Sequence, residues 1–127
     1  MEKGFVHLHT HSHYSLLDGL SKLEDLVSLA KKYKMSALAI TDHGNMYGAI
    51  EFYKECKKAG IKPIIGIDAY LASRTRFDKQ AGIDKDRFRL VLLCKNEKGV
   101  MLVTALSSLS LCDLNFRNFR LQNLNFL

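Results

Sequence analysis

Ala37-Leu-Ala-Ile-Thr-Asp-His-Gly44 decides the fold. Four apolar residues in a row, without alternation, predict a short strand buried on both faces. Thr41-Asp42-His43-Gly44 is the turn leaving its carboxyl end. Helix-period segments lie on both sides. Upstream, Leu23, Leu26, Val27 and Ala30 fall at helical spacing and give one apolar face. Ser21 and Glu24 make the S-x-x-E pattern of a capping box, so the helix is expected to open at Ser21. Lys31, Lys32 and Lys34 sit near its C-terminus, where the helix dipole favours cations. Downstream, a second helix is predicted from about Met46 to Ala59, with Ala49, Phe52, Tyr53 and Cys56 inward and Gly60 as its stop.

Further out, Gly4 to His9 predicts a short buried strand carrying Phe5, Val6 and Leu8. Ile64 to Leu71 predicts a third strand and Leu90 to Cys94 a fourth. Ser73 to Arg87 is polar and charged and reads as a loop. Asn96 is expected to cap a last helix through about Leu111. The alternation predicts an α/β fold built from parallel βαβ units with covered faces. Strand starts near residues 5, 37, 64 and 89 give a barrel-like or doubly wound rhythm. Asp113 to Leu127 is rich in Asn, Phe, Arg and Leu and follows neither period. It reads as a frayed tail, an amphipathic partner segment or, ranked first, the product of a truncated or frame-shifted reading frame.

The chain has 127 residues, 47% hydrophobic and 25% charged, which suits one globular domain and excludes collagen-like or strongly disordered classes. The opening residues carry no apolar signal-peptide region and no stretch is long enough to span a membrane, so a cytoplasmic location is expected. Cys56, Cys94 and Cys112 are odd in number and far apart, which predicts buried reduced thiols rather than disulfides. The net charge of +6 is concentrated beyond residue 60 without forming a basic run. It suits a solvated face or weak attraction to phosphate.

All five histidines precede residue 44: His7, His9, His11, His13 and His43. Alternate side chains of an extended segment share a face, so His7, His9, His11 and His13 can point the same way. The pair His9/His11 is the expected metal grip. His7 is equally a packed strand residue and His13 a loop residue. Asp42 and His43 fall at the carboxyl end of the sheet, the ligand-binding edge of parallel α/β folds. Asp18, in Leu-Leu-Asp-Gly, and Asp68, inside the third strand, add carboxylates near that edge. A carboxylate within an apolar strand needs a partner, and a metal is a good one. Mixed His and carboxylate donors suit Zn, Mn or Fe, which can activate water for phosphoester hydrolysis. Ser12, Ser15 and Ser21 match no nucleophile motif, and there is no P-loop or G-x-G-x-x-G.

Phe5 to Gly19 closely resembles the opening of bacterial DNA polymerase III alpha subunits, namely their polymerase and histidinol phosphatase (PHP) domain. Ala37 to Tyr53, Lys57 to Gly66 and Leu90 to Gly99 are similar to later stretches of that domain. The resemblance covers residues 5–99 and divides the chain into an N-terminal part of a PHP domain, 1–99, and a divergent helix and tail, 100–127. It implies a partial, distorted TIM-like β/α barrel. It implies a divalent metal, Zn or Mn first, on His9, His11, Asp18, His43 and Asp68, in a site lacking the ligands of later strands. Two positions depart from the family pattern: Asp68 stands where Glu is frequent, and Arg89 where His is frequent. Arginine cannot ligate a metal, though it can meet a phosphate. The parent family implies DNA and replisome subunits as partners, nucleotidyltransferase chemistry in the full polymerase, and an exonuclease or phosphoesterase role for this domain. The expectation for the chain alone is no polymerase site, little phosphoesterase activity and a tendency to self-associate. The alternatives are a stand-alone PHP-type phosphoesterase and a non-catalytic binding remnant.

Overall fold

The computed structural model describes residues 4–72, 74, 77–78, 80–84 and 87–112. In chain order these form α1 (Leu23–Lys32), β1 (Ala37–Ile40), α2 (Ala49–Ala59), β2 (Lys62–Ala72), β3 (Arg87–Leu93) and α3 (Glu97–Cys112). The three strands make one sheet in the order β1-β2-β3. The strand β1 pairs with β2 in parallel, from Ala37 opposite Lys62 to Ile40 opposite Ile65, with α2 as the crossover. This is the predicted βαβ unit.

The strand β3 runs antiparallel to β2, from Gly66 opposite Leu93 to Ala72 opposite Arg87. The predicted fourth strand is therefore real but reversed. A parallel return needs a crossover of a dozen or more residues, usually helical. The described residues of the 73–86 connection hold turns at 81–84 and no helix, so the chain folds back as a hairpin. Arg74 and Asp84 pin that connection through paired hydrogen bonds, one from Nε at 2.7 Å.

The first predicted strand does not form. Residues 4–10 run beside β1 with only two backbone bonds to it, Ala39 N–H to the His7 carbonyl at 3.0 Å and Thr41 N–H to that of Thr10 at 2.9 Å. Three residues on one side span two on the other, so an extra residue breaks the ladder, as in a β-bulge. Phe5 and Leu8 are exposed rather than buried.

The core lies where α1 and α2 meet the sheet. Leu23, Val27 and Ala30 of α1 and Phe52 and Cys56 of α2 pack with Leu38, Ile40 and Ile61. Leu23, Phe52 and Cys56 are fully buried, whereas Tyr53, expected inward, is exposed with Lys57 over its ring. The capping box at Ser21 is absent. The helix starts at Leu23 with Lys22 as an N-cap that makes no side-chain bond, and the Ser21 carbonyl accepts His13 N–H at 2.9 Å. Helix α2 starts at Ala49, later than predicted, since the Asn45 side chain caps Tyr47 N–H in a turn at 3.1 Å. Gly60 ends it at φ 75°, a left-handed C-cap that suits glycine. Asn96 caps α3 as expected, its Oδ1 accepting Gly99 N–H at 3.0 Å. The segment Asp113 to Leu127 lies outside the described residues. Among the described residues, no helix is long and apolar enough to cross a membrane.

Candidate metal centre

The site is built at the carboxyl end of β1 around a buried carboxylate. Asp42 lies two residues beyond the end of β1 and is 1% exposed. Its Oδ1 accepts Ser12 N–H at 2.7 Å and the Ser15 hydroxyl at 2.7 Å, and its Oδ2 accepts the Ser12 hydroxyl at 2.9 Å. The Ser15 oxygen in turn accepts His43 N–H at 3.0 Å. An otherwise irregular segment, residues 11–19, is thereby fixed to the strand end. Asp68 N–H donates to the Asp42 carbonyl at 3.0 Å and Gly44 N–H to the Asp68 carbonyl at 2.9 Å. These bonds set Asp68 beside His43.

All five predicted ligand residues converge there. His9 Nε2 lies 3.3 Å from His11 Nε2, as expected for alternate residues on one face. Asp68 Oδ2 is 3.2 Å from His11 Nε2 and 3.4 Å from His9 Nε2. The ligand atoms of these three residues all fall within 4.8 Å of one another. Asp18 and His43 form an adjoining pair, Oδ2 to Nδ1 at 2.9 Å. His11 joins the two groups, because its Nδ1 is 3.5 Å from Asp18 Oδ2. His7 and His13 stand apart: His7 is exposed and packs edge-on against Phe5, while the His13 ring lies against Tyr14.

The donor set fits a divalent cation in its chemistry. It offers imidazole and carboxylate together, and two of its buried polar atoms, Asp68 Oδ1 and His43 Nε2, have no hydrogen-bond partner among the described residues. One side chain does not fit. Arg89 of β3 reaches across from the register position opposite Tyr70 and pairs through Nη2 with Asp68 Oδ2. Burial pushes the Asp68 carboxyl up, but the Arg89 guanidinium, then His11 and His9, outweigh it and hold it below the usual carboxylate range. The hydrogen bond with His43 likewise holds the Asp18 carboxyl low against its desolvation.

Sequence reasoning placed Asp42 at the edge and set Ser12 and Ser15 aside. The structure makes these three the support of the site. A buried aspartate must draw on nearby donors, but which hydroxyls reach it depends on how the 11–19 segment turns back. The Tyr70 ring lies 4.6 Å from that of His43.

A family profile described as the PHP domain matches residues 7–125. The chain is 57% identical over 107 residues to the DNA polymerase III alpha subunit of Borreliella burgdorferi, covering 84% of this chain and 9% of that protein. It is 51% identical to the same subunit of Treponema pallidum, covering 82% and 9%, and 43% identical to that of Aquifex aeolicus, covering 87% and 10%. The chain thus spans about a tenth of the length of these relatives. Among solved structures it resembles an amidohydrolase from Chromobacterium violaceum at TM-score 0.56 and 19% identity, covering 80% of this chain and 32% of that one. It also resembles a protein described as a metal-dependent phosphoesterase from Bifidobacterium adolescentis, at TM-score 0.52 and 18% identity, covering 83% and 32%. These two likenesses establish a partial barrel-type α/β fold.

Proposed function

We propose a function from one premise: the chain belongs to the PHP-domain family. It serves as a metal-binding PHP region of a replicative DNA polymerase III alpha subunit, working in the cytoplasm with DNA and the replisome. His9, His11 and Asp68 form the primary ligand group, and Asp18 and His43 complete it. Zinc or manganese suits this mixed imidazole and carboxylate set. When bound, such an ion supplies a Lewis acid and lowers the pKa of bound water. His11 lies between the two carboxylates, its Nε2 toward Asp68 and its Nδ1 toward Asp18, and Asp42 holds the segment that carries His11.

The observation that carries this reading is the meeting of three ligand atoms within 4.8 Å, one of them on the wholly buried Asp68. Relatives up to 57% identical that are polymerase alpha subunits support the placement in replication. The test is metal content and calorimetric titration with Zn and Mn, comparing the natural chain with the His9→Ala/His11→Ala double variant. The variant should lose the bound ion. Equal binding by both chains would refute the site.

A further inference from the structure

We propose that Arg89 is a built-in counter-cation whose guanidinium holds the place between His9, His11 and Asp68 and must leave before a divalent metal binds. This rests on the metal reading above. Asp68 Oδ2 is a common focus: His11 Nε2 lies at 3.2 Å, His9 Nε2 at 3.4 Å, and Arg89 Nη2 makes the closest approach. The same Nη2 is 3.4 Å from His11 Nε2 and 3.9 Å from Asp18 Oδ2. A metal held by His9 Nε2, His11 Nε2 and Asp68 Oδ2 would sit against the atoms that Arg89 Nη2 already approaches, and one point in space cannot hold both cations.

The fold explains why arginine reaches this point. Arg89 is paired with Tyr70, and Asp68 precedes Tyr70 by two residues on the same face of β2. The two side chains form a diagonal cross-strand pair, a separation that a long side chain spans. The wholly buried Asp68 carboxylate needs a positive partner when no metal is present, and Arg89 supplies it. The Arg89 side chain is about half exposed, 46%, so it has solvent to turn into without moving the strand. Once turned out, it stands beside the metal as a planar donor fork suited to phosphate. Metal and phosphate should then each favour binding of the other.

Calorimetric titration with Mn and Zn tests this on the natural chain, Arg89→Gln and His9→Ala/His11→Ala, each melted in chelator and in saturating metal. Arg89→Gln should bind metal on the order of 10–100-fold more tightly, the scale on which neighbouring groups alter metal affinity. In chelator it should melt below the natural chain, because Asp68 loses its partner, and saturating metal should close that gap. Inorganic phosphate should tighten metal binding by the natural chain and leave Arg89→Gln unchanged. Equal or weaker metal binding by Arg89→Gln, or a melting gap that persists in metal, overturns the proposal. If only the histidine variant weakens, Arg89 alone is misassigned. If the histidine variant binds like the natural chain, the site itself falls and this inference with it. Should Arg89→Gln fail to fold, Arg89→Met removes the cation while keeping the apolar stem. It should bind metal more tightly than the natural chain, and equality would count against the proposal.

Discussion

Ser12 holds Asp42 from two directions, its backbone N–H on Oδ1 at 2.7 Å and its hydroxyl on Oδ2 at 2.9 Å. Both residues are buried, and Ser15 adds a third donor to the same carboxylate. This cluster converts the end of a four-residue strand into a fixed platform. The segment it secures carries His11 and Asp18, and its Ser15 also positions the His43 backbone. The candidate ligands are therefore held by a polar core distinct from the apolar core between the helices.

Removing that carboxylate should be costly. Asp42→Ala strands three buried donors and should destabilise the chain by more than about 3 kcal/mol, since bonds to a charged group contribute roughly 1.5–3 kcal/mol each. Asp42→Asn keeps the shape and one acceptor oxygen, and should cost less. Urea unfolding of both variants checks this. A cost under about 1 kcal/mol for Asp42→Ala would show that the cluster is not a support, given the usual penalty for orphaned buried groups.

Gly19→Ala should uncouple Asp18 from the site. A Cβ at Gly19 would stand 2.2 Å from the Ser12 carbonyl oxygen, so backbone must shift. Overpacking of this kind costs about 1–3 kcal/mol. The shift also moves Asp18, the neighbour that pairs with His43, so metal affinity should fall in the same variant. Unchanged affinity in a folded Gly19→Ala chain would remove Asp18 from the ligand set.

The βαβ unit was legible because its signals are local. The run Ala37 to Ile40 is apolar on both faces, and Gly60 stops α2 where only a left-handed cap fits. The convergence of His9, His11, Asp18, His43 and Asp68 was legible from the strand ends and the family resemblance. The direction of β3 was not, because apolar content is the same in parallel and antiparallel strands and the 73–86 connection carries no period. Phe5 to His9 misled for a related reason. Its composition suits a strand, but the extra residue between the bonds of His7 and Thr10 is invisible in sequence. The partnership of Arg89 with Asp68 depends on the β2–β3 register, so it too required the fold.

Acid should weaken the hairpin connection through Asp84. Its carboxyl is held below the usual range by the Arg74 guanidinium and the Gln80 N–H, against desolvation. A group with a lowered folded pKa stabilises above its unfolded value, about 3.9 for Asp, and that stabilisation is lost as pH falls through the folded value. The difference in melting temperature between the natural chain and Asp84→Asn should be constant near neutral pH and vanish below that window. A difference that grows on acidification would contradict the pairing.

Cys56 should be unreactive in the folded chain. Burial in the core pushes its thiol up to about 11, so almost none is thiolate at pH 8. Site-resolved mass spectrometry after iodoacetamide treatment should find Cys56 alkylated only when denaturant is present. Rapid labelling under native conditions would mean that the α1–α2 core opens readily.

The exposed edge of β3 should drive self-association. Among the described residues β3 pairs with β2 alone, which leaves one line of backbone donors and acceptors unpaired. Phe88 and Leu93 on that strand are also exposed, which adds apolar surface to the free edge. Charged residues on an edge oppose pairing, and Arg89 is engaged with Asp68 rather than free to serve that purpose. Sedimentation velocity over a range of concentrations should therefore show reversible growth beyond the monomer. Phe88→Lys places a charge on the edge without touching the ligand cluster, and should shift the distribution toward monomer while leaving metal binding intact. A natural chain that stays monomeric at every concentration, or a Phe88→Lys chain that associates as strongly, would show that β3 is not the contact.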